Sequence, residues 1–167
     1  MLPVADSVLR AINFVFLVII LGLTGSLIQG QDHGSSRVNF ALFASVFGLV
    51  TSSFYGLVAN FVEFLAWPVI LATLDFLNVV FTFAAGCALA VGIRVHSCTN
   101  QEYLDNNSIT QGSTDRCRKA QASTAFLFFS FFVFLVSGSL SVVSLITGGA
   151  FGSKRAPRTG VPTISTA

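Results

Sequence analysis

The sequence predicts an all-α integral membrane protein, a four-helix bundle with both termini on the cytosolic side. Three observations predict it. The 167 residues are 53% hydrophobic and only 10% charged, with a mean hydropathy of +0.79. Soluble domains carry about 25% charged residues, and one core of this size cannot hide so much apolar surface, so lipid is the solvent for much of it. Apolar runs recur four times, each near the ~20 residues that cross a hydrocarbon core at ~1.5 Å per residue. A single long polar connection, between the third and fourth runs, holds two cysteines. Residues 1–151 form the membrane domain, with helices near 8–28, 38–61, 68–93 and 122–146 and an outer loop over 95–121. Residues 152–167 form a cytosolic polar tail.

The first run follows a short polar start and Arg10. A secretory signal is the rival reading. The run is longer than a usual signal core and lacks a small-residue cleavage site, so a retained first helix is expected. Asn13 sits near its start. Gly22, Ser26 and Gly30 recur every four residues, a face where another backbone can approach. The polar loop Q-D-H-G-S-S-R leads into the second helix. There Ala44, Gly48, Ser52, Gly56 and Asn60 make a ridge of small residues along one face. Intramolecular packing is its ordinary use; a second copy of the chain, or another membrane protein, is the sharper alternative.

The third helix organises the rest. Trp67 suits an interfacial anchor and Pro68 a first helical turn. Asp75 lies seven residues further on, ~10 Å into the membrane at helical rise, with Asn78 one turn beyond. A charged group there costs roughly 2.5–3.5 kcal/mol on insertion scales, so this side should face protein. Asn13, Ser52, Ser53 and Tyr55 lie at the same depth, and a protonated Asp75 bonded to such groups is the expected arrangement. No second acid is expected within the spans. The buried polar cluster is therefore Asp75, Asn78, Asn13 and Ser52.

In the outer loop, Cys98 and Cys117 each lie near a helix end and suit a disulfide outside the cytosol. The sequon at Asn106 is a weak glycosylation signal. His33 and His96 read as interfacial polar residues, and Cys87 as a small packing residue. The fourth helix opens with Phe126, Phe128, Phe129, Phe131, Phe132 and Phe134. Rings on nearly every side cannot all face protein, so some should touch acyl chains, ordered membrane lipid or sterol included. Ser137, Ser141, Ser144 and Gly148 form a further small face. The tail carries Lys154, Arg155 and Arg158, each worth ~1 kcal/mol near anionic lipid, and ends with Thr163 and Ser165 as candidate reporting residues. Lys and Arg number four on the terminal face and five on the opposite one, so charge does not decide orientation. The cysteine pair does, since a cytosolic disulfide would be reduced.

The net charge of +2 is too small for nucleic-acid binding. No phosphate-binding loop, zinc-protease, paired CxxC or nucleophile-elbow motif occurs. An enzyme is thus the least favoured class, and no cofactor or metal is expected.

The blocks S-S-R-V-N-F (35–40), Y-G-L-V-A-N-F (55–61), L-D-F-L-N (74–78), F-T-F-A-A-G (81–86), L-A-V-G-I-R-V-H-S-C (89–98), Q-G-S-T-D-R-C (111–117), G-A-F-G-S (149–153) and G-V-P-T-I-S (160–165) run from the first outer loop through the second and third helices and the second outer loop to the tail. With them the chain resembles the fungal non-classical export protein 2 family, four-span proteins of the MARVEL type. The resemblance implies a plasma-membrane protein of eisosome-associated furrow compartments. It implies an organising role there that answers to sphingolipid status and acts indirectly on the eisosome coat proteins and their kinases, with a link to signal-peptide-independent secretion that is itself indirect. Two departures stand out. Family members often carry an acid where this chain has Ser52, and the basic run in the tail is short. A small transporter built on Asp75 is the alternative function. An accessory subunit, bound to another membrane protein through the Ala44–Asn60 ridge, is a third.

Overall fold

The computed structural model describes residues 2–31, 33–55, 68–94 and 96–148. Helix α1 spans Leu2–Gln29, α2 Ser36–Gly48, α3 Pro68–Ile93, α4 Gln101–Asn106 and α5 Thr114–Gly148. From Leu49 to Tyr55 the second helix continues in the wider π form. Among the described residues, three helices are long and apolar enough to cross a membrane: Asp6–Gln29, Ala72–Ile93 and Thr114–Val143. The shorter apolar helix Ser36–Ser52 runs beside them. Helix α5 packs on α3 and α1, and α2 bridges α1 and α3, so the four long elements form a ring in the order α1, α2, α3, α5.

The helix bounds differ from the sequence expectation at two ends. Helix α1 starts at Leu2 rather than near residue 8, because only Asp6 and Arg10 interrupt an otherwise helix-compatible start and they bond to each other across one turn. Helix α5 starts at Thr114 rather than near 122. Ser113 turns the chain there, its hydroxyl accepting from the Arg116 amide at 3.4 Å, and Asp115 favours the first turn of the helix. The outer connection is therefore shorter than the expected loop and includes α4, capped by Asn100, whose side chain accepts from the Tyr103 amide. The expected end of the second helix, with Gly56 and Asn60 of its ridge, lies outside the described residues, as does the tail with Lys154, Arg155, Arg158, Thr163 and Ser165.

The core is one apolar cluster drawn from all four long helices, including Leu17, Ile20, Ala44, Ala85, Leu89, Leu127 and Phe134. Buried hydroxyls inside it serve themselves. Thr24, Ser45, Thr82 and Thr124 each donate to the carbonyl four residues back, so they enter an apolar interior without leaving a donor unmet.

The ridge on α2 faces this core. Ala44, Gly48 and Ser52 are all buried. A Cβ on Gly48 would stand 3.0 and 3.2 Å from the two methyls of Leu17. The ridge therefore packs within the chain, and its described part offers no docking face to a second copy or another subunit. Gly48→Leu should lower stability by about 1–3 kcal/mol, as overpacking does, read as a lower melting temperature in detergent micelles. An unchanged midpoint would mean that Leu17 yields freely. The small face on α1 behaves differently: a Cβ on Gly22 would meet nothing within 4 Å, so no backbone approaches there.

The phenylalanines of α5 divide. Phe129 and Phe132 are 54% and 58% exposed on the bundle's outside. Phe126, Phe128 and Phe131 are half-buried between helices, with Phe126 5.7 Å from Phe16 and Phe131 5.1 Å from Phe83, ring centre to ring centre. Phe134 is 1% exposed and belongs to the core, not to a lipid-facing surface. It sits on the buried stripe Leu127, Ser130, Phe134, Ser137, whose three- and four-residue steps keep one face inward.

Candidate functional site: an intramembrane ion network

Asp75 is 2% exposed, seven residues into α3. Its carboxylate meets the guanidinium of Arg10 on α1 side by side. Nη2 stands 3.0 Å from Oδ2 and Nη1 3.4 Å from Oδ1. Such a fork-to-fork pair is among the stronger charge-assisted contacts. Nε of Arg10 donates at 2.9 Å to Asp6, one turn earlier on the same helix. Helix α5 closes the set, with Ser141 donating to Asp75 at 2.9 Å and Ser137 to Asp6 at 2.6 Å. Two carboxylates and one guanidinium are thus bound into three helices at one end of the bundle, where the start of α1 meets the last turns of α5.

This differs from the sequence expectation in two respects. The main partner of Asp75 is the guanidinium of Arg10 rather than amides and hydroxyls alone, and Asp6 is a second acid in the same span set. The readable signal was Asp6–Arg10 at helical i,i+4 spacing on a helix that stands across the ring from α3. Asn78, Asn13 and Ser52 belong to the next layer inward and not to the Asp75 shell. Asn78 donates to Thr51 at 2.7 Å, and Thr51 to the carbonyl of Phe47 at 2.7 Å. Both polar atoms of the Asn13 side chain, Ser52 Oγ and Asn78 Oδ1 are buried without a protein partner. Polar groups left so are costly, and they stand beside the π-helical stretch, a form often found at functional positions.

The opposite end is closed by a polar cap. Cys98 and Cys117 are joined by a disulfide, with Cα atoms 5.7 Å apart. The Tyr103 hydroxyl donates to the carbonyl of Ile93, and Asn107 donates to that of Gly92 at 2.9 Å, so α4 is tied to the last turn of α3. Burial pushes the Tyr103 phenol above its ordinary range and Arg94 opposes the shift, so Tyr103 remains a donor. Arg116 donates to the carbonyls of Gly30 at 2.7 Å and Ile109 at 3.2 Å, and Lys119 to Ser26 at 3.0 Å. Two cations thereby sit at the C-terminal end of α1, where the helix dipole favours them. Asn106 is exposed at the end of α4. The ring of His96 lies 5.0 Å from that of Tyr103, and the carbonyl of His33 accepts from Gln111 at 3.1 Å. Cys87 is free and half-buried in α3.

Apolar spans with outward phenyl rings, an ion network buried between helices and a disulfide-bonded cap define a polytopic, all-helical integral-membrane protein. The MARVEL membrane-associating domain matches residues 3–140. The chain belongs to this family, and within it to the fungal non-classical export protein 2 proteins. It is 57% identical over 171 residues to Non-classical export protein 2 of Saccharomyces cerevisiae, and 62% identical over 168 residues to Non-classical export protein 102 of Candida albicans, in each case covering 99% of both chains. Non-classical export protein 2 homolog of Schizosaccharomyces pombe is 38% identical over 133 residues, covering 78% of this chain and 72% of that one. No solved structure matches.

Proposed function

We propose that this protein is a non-enzymatic organiser of the plasma membrane, acting in furrow-like, eisosome-associated compartments and responding to sphingolipid status, with its tail end in the cytosol. The observation that carries this reading is the division of its surface. The charged groups of the interior, Asp6, Arg10 and Asp75, are spent on one another and on Ser137 and Ser141, and above them the core is closed by Leu17, Ile20, Leu89 and Leu127, each fully buried. What the bundle turns outward over its spans is apolar, with Phe14, Phe43, Phe76, Phe83, Phe129 and Phe132 all exposed. Such a molecule acts on lipid through its outside. A lipid redistributes it only through differential affinity, and exposed rings among acyl chains, sterol or ordered lipid supply a contact that differs with chain order. The cytosolic tail would report that distribution to coat proteins and their kinases, and the export link in the relatives' names would follow indirectly from compartment organisation.

The test is imaging of the N-terminally tagged protein in fungal cells as sphingolipid synthesis is blocked. The expected result is stable surface patches that disperse as sphingolipid falls. A uniform surface signal that ignores the block overturns the proposal. The small-transporter alternative gains one argument, since Asp6 and Asp75 share a single Arg10 and a second acid is what a relay needs. Asp75→Asn separates the two readings: a transporter loses flux while reaching the surface, and an organiser keeps its patches.

A further inference from the structure

Helix α2 begins and α3 ends at the cap end of the bundle. Arg37 is the second residue of α2, and Arg94 follows the last residue of α3. Both stand where the spans leave the hydrocarbon, at the depth of lipid headgroups. They line one open pocket of about 400 Å³ together with His96, Asn100, Glu102 and Tyr103. The Arg37 side chain is folded over Gly92: its Cδ and Nη1 lie 3.0 and 3.2 Å from where a Cβ on that glycine would stand. That places its guanidinium over the turn from which Arg94 projects. The Arg94 backbone has φ 48°, in the left-handed region that residues with a Cβ seldom occupy. A strained position held by arginine rather than glycine points to use of the side chain.

Arg10 and Lys119 each have a carboxylate within 3.0 Å and Arg116 has carbonyls. Among the described residues, Arg37 and Arg94 have neither a hydrogen-bond partner nor an ion pair. Arg37 and Arg94 against Glu102, the one acid of the lining, give the pocket a net charge of +1 before His96 is counted. Two unpaired forks of five donors each, in one concave site, match a phosphate oxygen set.

We propose that the Arg37–Arg94 pocket binds the phosphate group of a lipid headgroup in the leaflet on the cap side. The inference rests on the lipid-responsive reading above and names the feature of the lipid that the protein would hold. Glu102 makes it a site for weak, exchangeable binding rather than a tight one.

The test is native mass spectrometry of the purified full chain in neutral detergent. The probes are dioleoyl phosphatidic acid, dioleoylglycerol and inorganic phosphate. The phosphatidic acid should be retained and the diacylglycerol not. Arg37→Gln with Arg94→Gln should weaken retention by at least about tenfold, as loss of charge-assisted hydrogen bonds does. Glu102→Gln should strengthen it, a gain that misfolding cannot imitate. Equal retention by wild type and the double variant, or equal retention of the diacylglycerol, overturns the proposal. Displacement of the lipid by millimolar inorganic phosphate would keep the phosphate chemistry and reassign the source to a soluble phosphate. Loss of lipid binding with sphingolipid-dependent patches intact removes this inference alone. Retained binding with uniform surface signal removes only the organiser reading.

Discussion

Arg10→Ala should destabilise the bundle by about 3–5 kcal/mol, the usual penalty for removing one partner of a buried ion pair. The mechanism is the unpaired charge left behind. Asp75, 2% exposed, would keep only the Ser141 hydroxyl, and Asp6 only that of Ser137. Asp75→Asn should cost less, because an amide of the same shape still accepts from Arg10 and Ser141 while Arg10 retains Asp6. The pair Arg10→Met with Asp75→Leu should sit closer to wild type than Arg10→Ala, since it strands only the part-exposed Asp6 and not the buried Asp75. Melting midpoints of the variants in the same micelle decide the matter. A wild-type midpoint for Arg10→Ala would show the network to be a surface contact and not a clamp.

The second large effect is expected at the other end. Cys98→Ser with Cys117→Ser releases a loop closed across 19 residues, worth about 3 kcal/mol by chain entropy. Both cysteines pack with Leu104 and Tyr103, so the loss should concentrate in the cap. Amide exchange should quicken in α4 and the first turns of α5, while the amides around Arg10 and Asp75 keep their protection. Uniform acceleration along all four long helices would mean that the bundle unfolds as one unit and the cap has no stability of its own.

Much of this architecture was legible in the residues, and the misreadings have physical causes. Apolar length located the spans, because a bilayer imposes it directly. It could not locate helix ends outside the bilayer, where caps decide. Ser113 and Asp115 at the start of α5, and Asn100 at the start of α4, are common surface residues whose meaning comes from the turn they make. That Asp75 is buried followed from the cost of exposing it to lipid. Its partner did not, because Arg10 reads equally well as the interfacial cation before a span. Only the depth match between an ascending α1 and an ascending α3 puts the two together. Phe134 was hidden among five other phenylalanines, and the stripe of Ser130 and Ser137 on either side marks it as the inward one. The ridge at Ala44, Gly48 and Ser52 showed close packing; which surface it packs against is a property of the assembled ring.

The two fastenings lie at opposite rims: salt links and serines at one, a disulfide and side-chain ties to carbonyls at the other. Between them α1, α2, α3 and α5 meet through aliphatic side chains, hydroxyls turned back on their own helices, the single Asn78–Thr51 hydrogen bond, and tilted or edge-on rings such as Phe47 against Phe81 at 5.1 Å. A column hooped at top and bottom yields at its waist. A change in the surrounding bilayer that reaches the helices at mid-depth therefore meets side-chain packing and one amide–hydroxyl bond, and neither a salt link nor a disulfide.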